Sequence, residues 1–246
     1  MQDVTDQAFD PDNRLLFVVR SDGKLASLTL YRTQQVSAWT LHETAGAVQS
    51  VAVVGEDSYF LIKRGDAYMI EVMQSGLYVD SALEGESETP ALTWSGLDHL
   101  EGKEVSITAD GIVKDPQTVT SGQIVLDEAV NTVVVGLPYT HIIEPLPPSI
   151  ISGAGTARTV RLIEADFRVE DTAALRLDTG SGLKDIALST ADEIALDSPA
   201  PQVSRDVSIR ALGWSRDLSK PLWRIEQSIA LPFTLLSVKT EMKIGL

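Results

Sequence analysis

The strongest constraint on the fold is a succession of short β-rich runs between Arg14 and Met73. β-branched, aromatic and leucine side chains dominate these runs, and a turn sequence closes them roughly every ten residues. This spacing is typical of an antiparallel β-meander. A helix is disfavoured there, because no capped run shows the 3.6-residue period of an amphipathic helix. The turn sequences are Ser21-Asp22-Gly23, Gly55-Glu56-Asp57 and Arg64-Gly65-Asp66.

Several of these runs are apolar at positions that face opposite sides of a strand. In the run 48–54, Val48, Ala52 and Val54 alternate with Val51 and Val53. Strands of this kind are covered on both faces, as in stacked propeller blades or in a sandwich. We therefore predict a propeller-like β-meander over residues 1–75.

The pattern changes after this region. Residues 76–93 lose the strand pattern and gain acidic residues, so they are predicted to form a connector or an ordered loop. Five short β-rich runs between 94 and 144 fit a small β-barrel domain. Prolines at 145, 147 and 148 then mark a second boundary, because proline has no N–H to donate to a β-ladder.

Residues 145–246 are predicted to form a C-terminal β-rich domain that resembles a sandwich. The run 159–177 can be read as a helix, but it also alternates with period 2, and we interpret it as two strands with a turn at Glu170-Asp171. The fold class predicted for the whole chain is therefore all-β.

Composition excludes several classes of protein. The 246 residues carry 20 Lys and Arg against 35 Asp and Glu, a net charge of −15, which disfavours a dedicated nucleic-acid-binding module. A hydrophobic share of 43% excludes wholesale disorder, and the lack of cysteine excludes a disulfide scaffold or a thiolate metal site. No apolar run is long enough for a membrane segment, and the acidic start does not fit a signal peptide.

The sharpest candidate for catalysis is Asp178-Thr179-Gly180-Ser181. This string resembles the one that carries the catalytic carboxylate of aspartic proteases, where two such aspartates share a proton. A single copy would need a homodimer, and Arg176 interrupts the apolar strand that normally precedes the motif. We prefer a turn rich in Asp, Gly and Ser.

Other candidates are weaker. His42, His99 and His141 lack the spacing of a zinc site, and the loop 10–13 is too short for a calcium loop. The glycine-rich segment 152–156 lacks the lysine of a phosphate-binding loop and is interpreted as flexible chain. We predict no catalytic residue, no cofactor and no metal ligand. Four tryptophans remain as candidates for a sugar-binding face, although core packing is their commoner use: Trp39, Trp94, Trp214 and Trp223.

A family resemblance runs along most of the chain. The segments 18–30, 35–39 and 46–53 resemble the VRSDGxLxSLTY…QxVxAWxxH…GxVxSVAV block of tail tubular proteins, the nozzle or stub proteins of short-tailed double-stranded DNA bacteriophages. Phe17 and Leu30 stand where Trp and Tyr are common in that family. Later elements follow in the same order: 96–102 with Val105 and 109–111, then 135–139, then 231–238.

The resemblance covers the C-terminal part of these longer proteins. It implies a non-enzymatic structural protein of the virion tail, assembled in the bacterial host cytoplasm, with six subunits in a ring below the head–tail adaptor. Genomic DNA would pass through the ring without specific binding, and carboxylates facing the channel would repel its phosphates. Residues 75–93 and 144–148 are candidates for subunit contacts. The alternative is a receptor- or carbohydrate-binding module at the tail tip.

Overall fold

The computed structural model describes residues 3–31, 36–147, 159–189, 198–211 and 220–245. Across these residues the protein is all-β, as predicted, with five antiparallel sheets and one short 3-10 helix at Asp98–Leu100. No helix in the described part of the chain is long and apolar enough to cross a membrane. Contacts divide the chain into two units, Met1–Ser81 and Ala82–Leu246. The domain boundaries inferred from sequence stay predictions.

The first unit contains two sheets built from consecutive strands, so the predicted antiparallel meander is confirmed, while its propeller-like arrangement stays a prediction. Sheet A has the order β1-β2-β3-β4, and sheet B has the order β5-β6-β7. The strands are β1 (Val4–Asp10), β2 (Leu15–Arg20), β3 (Leu25–Tyr31), β4 (Val36–His42), β5 (Ala47–Val54), β6 (Asp57–Arg64) and β7 (Ala67–Val72).

The turn between β2 and β3 shows how the sequence sets this meander. Gly23 has a φ of 79° and its N–H donates to the carbonyl of Arg20 at 2.9 Å. A Cβ at position 23 would lie 2.7 Å from the Cβ of Ala47, at the start of β5. Glycine is therefore required both by the left-handed backbone and by the close approach of sheet B.

Sheets A and B pack against each other through their inner faces. The Phe17 ring of β2 meets the Phe60 ring of β6 edge to face, with 5.3 Å between ring centroids. This geometry is a preferred one for aromatic pairs in protein interiors. The buried residues of this core are Phe17, Val19, Leu25, Val48, Val51, Phe60 and Ile62.

The predicted small barrel is wrong, because residues 80–137 form an open sheet with the order β10-β9-β11-β8. The strands are β8 (Asp80–Ser95), β9 (Glu104–Ala109), β10 (Ile112–Thr118) and β11 (Gln123–Leu137). Closure would need β8 to pair with β10. Pro90 within β8 has no N–H to donate, and such residues are characteristic of sheet edges.

The prediction of a connector at 76–93 is also wrong for most of its length, since β8 covers 80–95. The residues 84–88 alternate between exposed glutamates and half-buried Gly85 and Ser87. This polar alternation has period 2 and suits an edge strand, but it contains no hydrophobic run that sequence reading would detect.

The rest of the second unit is a sandwich of two sheets, as predicted. One sheet has the order β12-β17-β14-β15 and the other β16-β13-β18. Both contribute to one core, in which the rings of Phe167 and Trp223 meet edge to face at 5.3 Å. The strands are β12 (His141–Ile143), β13 (Thr159–Thr172), β14 (Arg176–Asp178), β15 (Lys184–Asp185), β16 (Val203–Arg210), β17 (Arg224–Gln227) and β18 (Thr234–Gly245).

The strand interpretation of 159–177 is confirmed, but the turn expected at Glu170-Asp171 is wrong. β13 continues to Thr172, and Asp171 lies in an irregularity of the β13–β16 ladder with a φ of 42°. Its N–H is held by the Ser204 hydroxyl at 3.0 Å. Aspartate tolerates the left-handed conformation, so the turn-like residues form a bulge instead of ending the strand.

Candidate interaction surfaces

The outward face of sheet A, which we call face A, is apolar, and it is exposed along the outer strands β1 and β4. Because Phe17 points into the core, its neighbours Leu16 and Val18 lie on the other side of β2, where Leu16 is half-buried and Val18 is 8% exposed. A row of Phe9, Leu16, Leu28 and Trp39 crosses all four strands in register, with Phe9 50% and Trp39 60% exposed. Face A comprises Val4, Gln7, Phe9, Leu16, Val18, Arg20, Ala26, Leu28, Leu30, Ser37, Trp39 and Leu41.

The outward face of sheet B, face B, has the same character. Leu61 pairs with Ile70 across β6 and β7, and Ile70 is 77% exposed. Tyr68 stands opposite Lys63, whose ammonium lies 5.6 Å from the centre of the ring. Face B comprises Ser50, Ala52, Val54, Asp57, Tyr59, Leu61, Lys63, Tyr68, Ile70 and Val72.

Charge sets these faces apart from an ordinary solvated sheet face in the same protein. The outward face of β13, β16 and β18 carries cross-strand ion pairs, including Arg168 with Asp206 at 2.7 Å and Lys239 with Asp166 at 3.6 Å. Face A has one charged residue, Arg20, and face B has only Asp57 and Lys63. Contiguous exposed apolar surfaces of this kind mark sites of interaction.

The edge strand β4 belongs to the same surface. Its first six residues are exposed, and the strand contains no Asp, Glu, Lys, Arg or Pro. Natural sheets usually protect their edges with charges or proline, because free backbone N–H and C=O groups pair readily with another chain. Among the described strands β4 is the last of sheet A, so it presents an edge without charge or proline beside face A.

An ion cluster holds β6 and β7 together behind face B. Arg64 donates to Glu71 at 2.6 and 2.8 Å and to Asp80 at 2.8 and 3.1 Å, and Asp80 also accepts from the Thr44 hydroxyl at 2.6 Å. Burial alone lowers the pKa of the Arg64 guanidinium, but hydrogen bonds and charges from Glu71 and Asp80 outweigh it and raise the pKa. The cluster fixes the register of the strands that present face B.

The protease-like string forms a turn, as preferred from the sequence. Asp178 is the last residue of β14, and its Oδ1 accepts from the N–H groups of Gly180 at 2.7 Å and Gly182 at 3.0 Å. Both glycines have positive φ. The carboxylate is therefore engaged by its own loop, which is the usual use of aspartate in such turns.

The three histidines occupy unrelated positions. Nε2 of His42 lies 2.7 Å from the Ser27 hydroxyl, the His141 ring stacks on Phe233 at 5.0 Å, and His99 lies in the 3-10 helix. Among the described residues, no group of three or more His, Cys, Asp or Glu side chains is arranged to hold a metal ion.

His141 gives the protein a pH-dependent stability. Burial lowers the pKa of His141 below its ordinary value of 6.5, and its buried Nε2 has no hydrogen-bond partner among the described residues. The folded state therefore favours the neutral ring. The neutral ring therefore stabilises the folded state fully above about pH 6.5, the pKa of an unfolded histidine. This stabilisation is lost as the pH falls through the lower pKa that His141 has in the folded state. We expect His141→Gln to lose less stability than the parent between pH 7 and 5, measured by urea unfolding.

The control for this experiment is His42→Gln, in the other unit. Burial lowers the pKa of His42 as well, so this variant should change the acid sensitivity of the 1–81 unit only. Hydrogen exchange of peptides from each unit separates the two effects. An unchanged pH dependence of the 82–246 unit in His141→Gln would rule out this role for His141.

The tryptophans have different environments. Trp223 is buried, and the Trp94 ring covers Gly85, where a Cβ would lie 2.7 Å from the ring, so core packing is confirmed for both. Trp39 is exposed on face A, and core packing is wrong for it. Trp214 and the glycine-rich segment 152–156 lie outside the described residues.

The loop Asp10-Pro11-Asp12-Asn13 is a capped turn. The buried Asp10 carboxylate accepts from the N–H groups of Asp12 and Asn13, each at 3.0 Å, and from the Asn13 amide at 2.9 Å. The Asn13 hydrogen bonds are the main cause of a lowered Asp10 pKa. The hydrogen bonds of this carboxylate therefore stabilise the turn between β1 and β2.

The segments that resemble phage tail proteins lie in strands and in the turns that connect them. Residues 18–30 form the second half of β2, its glycine turn and all but the last residue of β3, while 46–53 lead into and form most of β5. Residues 96–102 surround the 3-10 helix, and 231–238 lead into β18 and form its first residues. No protein-family model matches the chain, and no curated protein is significantly similar to it.

Proposed function

We propose that this protein is a structural subunit of the tail of a short-tailed double-stranded DNA bacteriophage, a nozzle or stub protein without catalytic activity. It forms a ring, of six copies by the resemblance, around the channel through which the genome is ejected. Its partners are other copies of itself, the head–tail adaptor and other tail proteins. Its location is the virion tail, after assembly in the bacterial host cytoplasm.

The observation that carries the assembly role is the pair of apolar outward faces in the 1–81 unit. Each sheet buries its inner face in a shared core and leaves an outer face with almost no charge. Burial of such surface against another subunit is favourable, because apolar surface is removed from water. The outer face of the C-terminal sandwich, in contrast, carries cross-strand ion pairs, as solvated sheet faces usually do.

The charge of the chain supports a role in which DNA slides past. Tight contact with DNA requires cations that displace the counterions of the phosphates, and this chain has an excess of 15 carboxylates. A channel lined with carboxylates repels the phosphate backbone and lets it move. A ring with a lumen lined mainly by Lys and Arg would contradict this part of the proposal.

Electron microscopy of the purified full chain, alone and with the adaptor, tests the proposed function. We expect rings with a central channel whose abundance rises with protein concentration. A uniform monomer at every concentration, with and without the adaptor, would contradict it.

The alternative, a carbohydrate- or receptor-binding module at the tail tip, has one favourable observation, the exposed ring of Trp39. Exposed aromatic rings are a common platform for binding partners. Quenching of tryptophan fluorescence by host glycans, lost in Trp39→Ala, in a protein that stays monomeric would favour this alternative over the ring.

A further inference from the structure

We infer that Gln227 and His141 bind one buried water molecule in the core of the C-terminal sandwich. The water accepts a hydrogen bond from the Gln227 amide and donates one to the His141 ring, and so it joins strand β17 to strand β12. This site lies outside the 1–81 unit and does not depend on the proposed assembly.

The two side chains are direct neighbours across the β12–β17 ladder. His141 pairs with Gln227, and Ile143 pairs with Ile225. Ile225 lies in the core, and residues two apart on a strand point to the same side, so Gln227 and His141 point to the core as well. The His141 ring stacks on Phe233, which packs against the same core.

Each side chain has a buried nitrogen that lacks a partner. Gln227 is 1% exposed, and neither its Nε2 nor the Nε2 of His141 has a hydrogen-bond partner among the described residues. Buried polar groups are nearly always bonded to protein or to ordered water, because an unpaired one is costly. The two nitrogens do not bond each other directly, and one water molecule between them pairs both.

The Gln227 amide fixes the direction of these hydrogen bonds. Its Oε1 accepts from the N–H of Ile229 at 3.4 Å, so turning the amide round would set its NH2 group against a backbone donor. Nε2 therefore donates to the water, and the water donates to a ring nitrogen without a proton. This arrangement assigns the proton of neutral His141 to Nδ1.

The charged neighbours of the pair point away from it. Arg224 and Glu226 alternate with the core-facing residues of β17, and Arg224 pairs with Glu226 at 2.6 Å and with Glu144 at 2.9 Å on the other side of the sheet. The segment 228–233 contains no titratable side chain. Burial lowers the pKa of His141, so near pH 7 the ring is mainly in the neutral form that accepts a hydrogen bond.

Nuclear magnetic resonance of the full chain tests the site. Long-range 1H–15N correlations above pH 7 identify the ring nitrogen that carries the proton, and His141→Gln assigns the signals. We expect the Nδ1–H form of His141 to exceed the Nε2–H form at least ~10-fold, a preference that one buried hydrogen bond can supply. We also expect an Overhauser contact between a long-lived water and the Gln227 amide protons.

Gln227→Met is the informative variant, because it keeps the length of the side chain and removes the donor. We expect the water contact to disappear and the preference for the Nδ1–H form to fall about tenfold. The matched control is Ser228→Ala, at the next residue of the chain, which is exposed. It should leave both signals of His141 and Gln227 unchanged.

Three results would overturn the inference. A parent with His141 in the Nε2–H form contradicts the direction of the hydrogen bonds. The Nδ1–H form without a water contact shows a direct bond from Gln227 instead of a water site. An unchanged ratio of the two forms in Gln227→Met excludes Gln227 as the donor. If Gln227→Met does not fold, the two measurements on the parent decide alone.

Discussion

Replacing Phe17 with alanine is expected to lower the free energy of unfolding of the 1–81 unit by about 3–5 kcal/mol. Phe17 is 1% exposed and its ring is in edge-to-face contact with Phe60 of the opposite sheet. The substitution removes buried apolar surface and leaves a cavity between the sheets. Native-state hydrogen exchange of the β2 and β3 amides measures the loss, because it reports the opening of this unit alone.

Phe9→Ala is the matched control, because it makes the same change in the same sheet but on face A. Phe9 is half-exposed, so a monomer should lose less than about 1 kcal/mol, while self-association should weaken. If Phe17→Ala abolishes folding of the unit, Phe17→Leu should lower its free energy of unfolding by a smaller amount that can still be measured. Equal losses for Phe9→Ala and Phe17→Ala in a monomeric sample would contradict the assignment of inner and outer faces.

Arg64→Met is expected to destabilise the 1–81 unit by about 2–4 kcal/mol, slightly below the cost of breaking a fully buried ion pair. The Arg64 side chain is 9% exposed, and its partners Glu71 and Asp80 are 21% and 19% exposed. Without the guanidinium, two partly buried carboxylates face each other with no cation between them. Hydrogen exchange of β6 and β7 at pH 7 measures the effect.

The control is Arg168→Met in the ion pair with Asp206, where the two side chains are 60% and 52% exposed. A solvent-exposed pair contributes only about 0–1 kcal/mol, so this variant should be nearly neutral. Arg64→Lys should lie between Arg64→Met and the parent, because it keeps the charge but loses the paired hydrogen bonds. A loss for Arg64→Met no larger than for Arg168→Met would show that the cluster is not structural.

The fold of the first unit is predictable because its turns are local. Gly23, Gly55 and Gly65 all have positive φ, and glycine adopts that conformation without a steric penalty. The hairpins that these glycines close follow from residues within a few positions of each other. The same reasoning locates the turns at Asp110-Gly111 and Ser121-Gly122, where all four residues have positive φ.

The open sheet of the second unit was not predictable for a different reason. Whether a sheet closes depends on pairing between strands that are distant in sequence, which hydrophobic alternation does not encode. The edge strand β8 is polar on alternate positions and contains Pro90, so it shows neither an apolar run nor a helix period. The sequence of β8 alone does not predict a strand, and β8 is recognised as one only because it pairs with β11.

Only part of the description of faces A and B could be predicted from the sequence. The sequence indicates strands that are apolar on both sides, but it does not show which side reaches the core. Phe9 and Trp39 are as hydrophobic as Phe17, and only the register of β1 with β2 and of β3 with β4 places them outward. The pairing of residues across strands therefore had to be known before faces A and B could be recognised.

Native mass spectrometry of the full-length parent and of Trp39→Lys tests whether the apolar outward faces of the 1–81 unit assemble copies into a ring. Trp39 is 60% exposed, so the substitution should leave the fold of a single copy intact. We expect one discrete closed oligomer for the parent and mainly monomers for Trp39→Lys. A parent that stays monomeric at every concentration, or a variant that forms the same oligomer as the parent, would contradict this role for the faces.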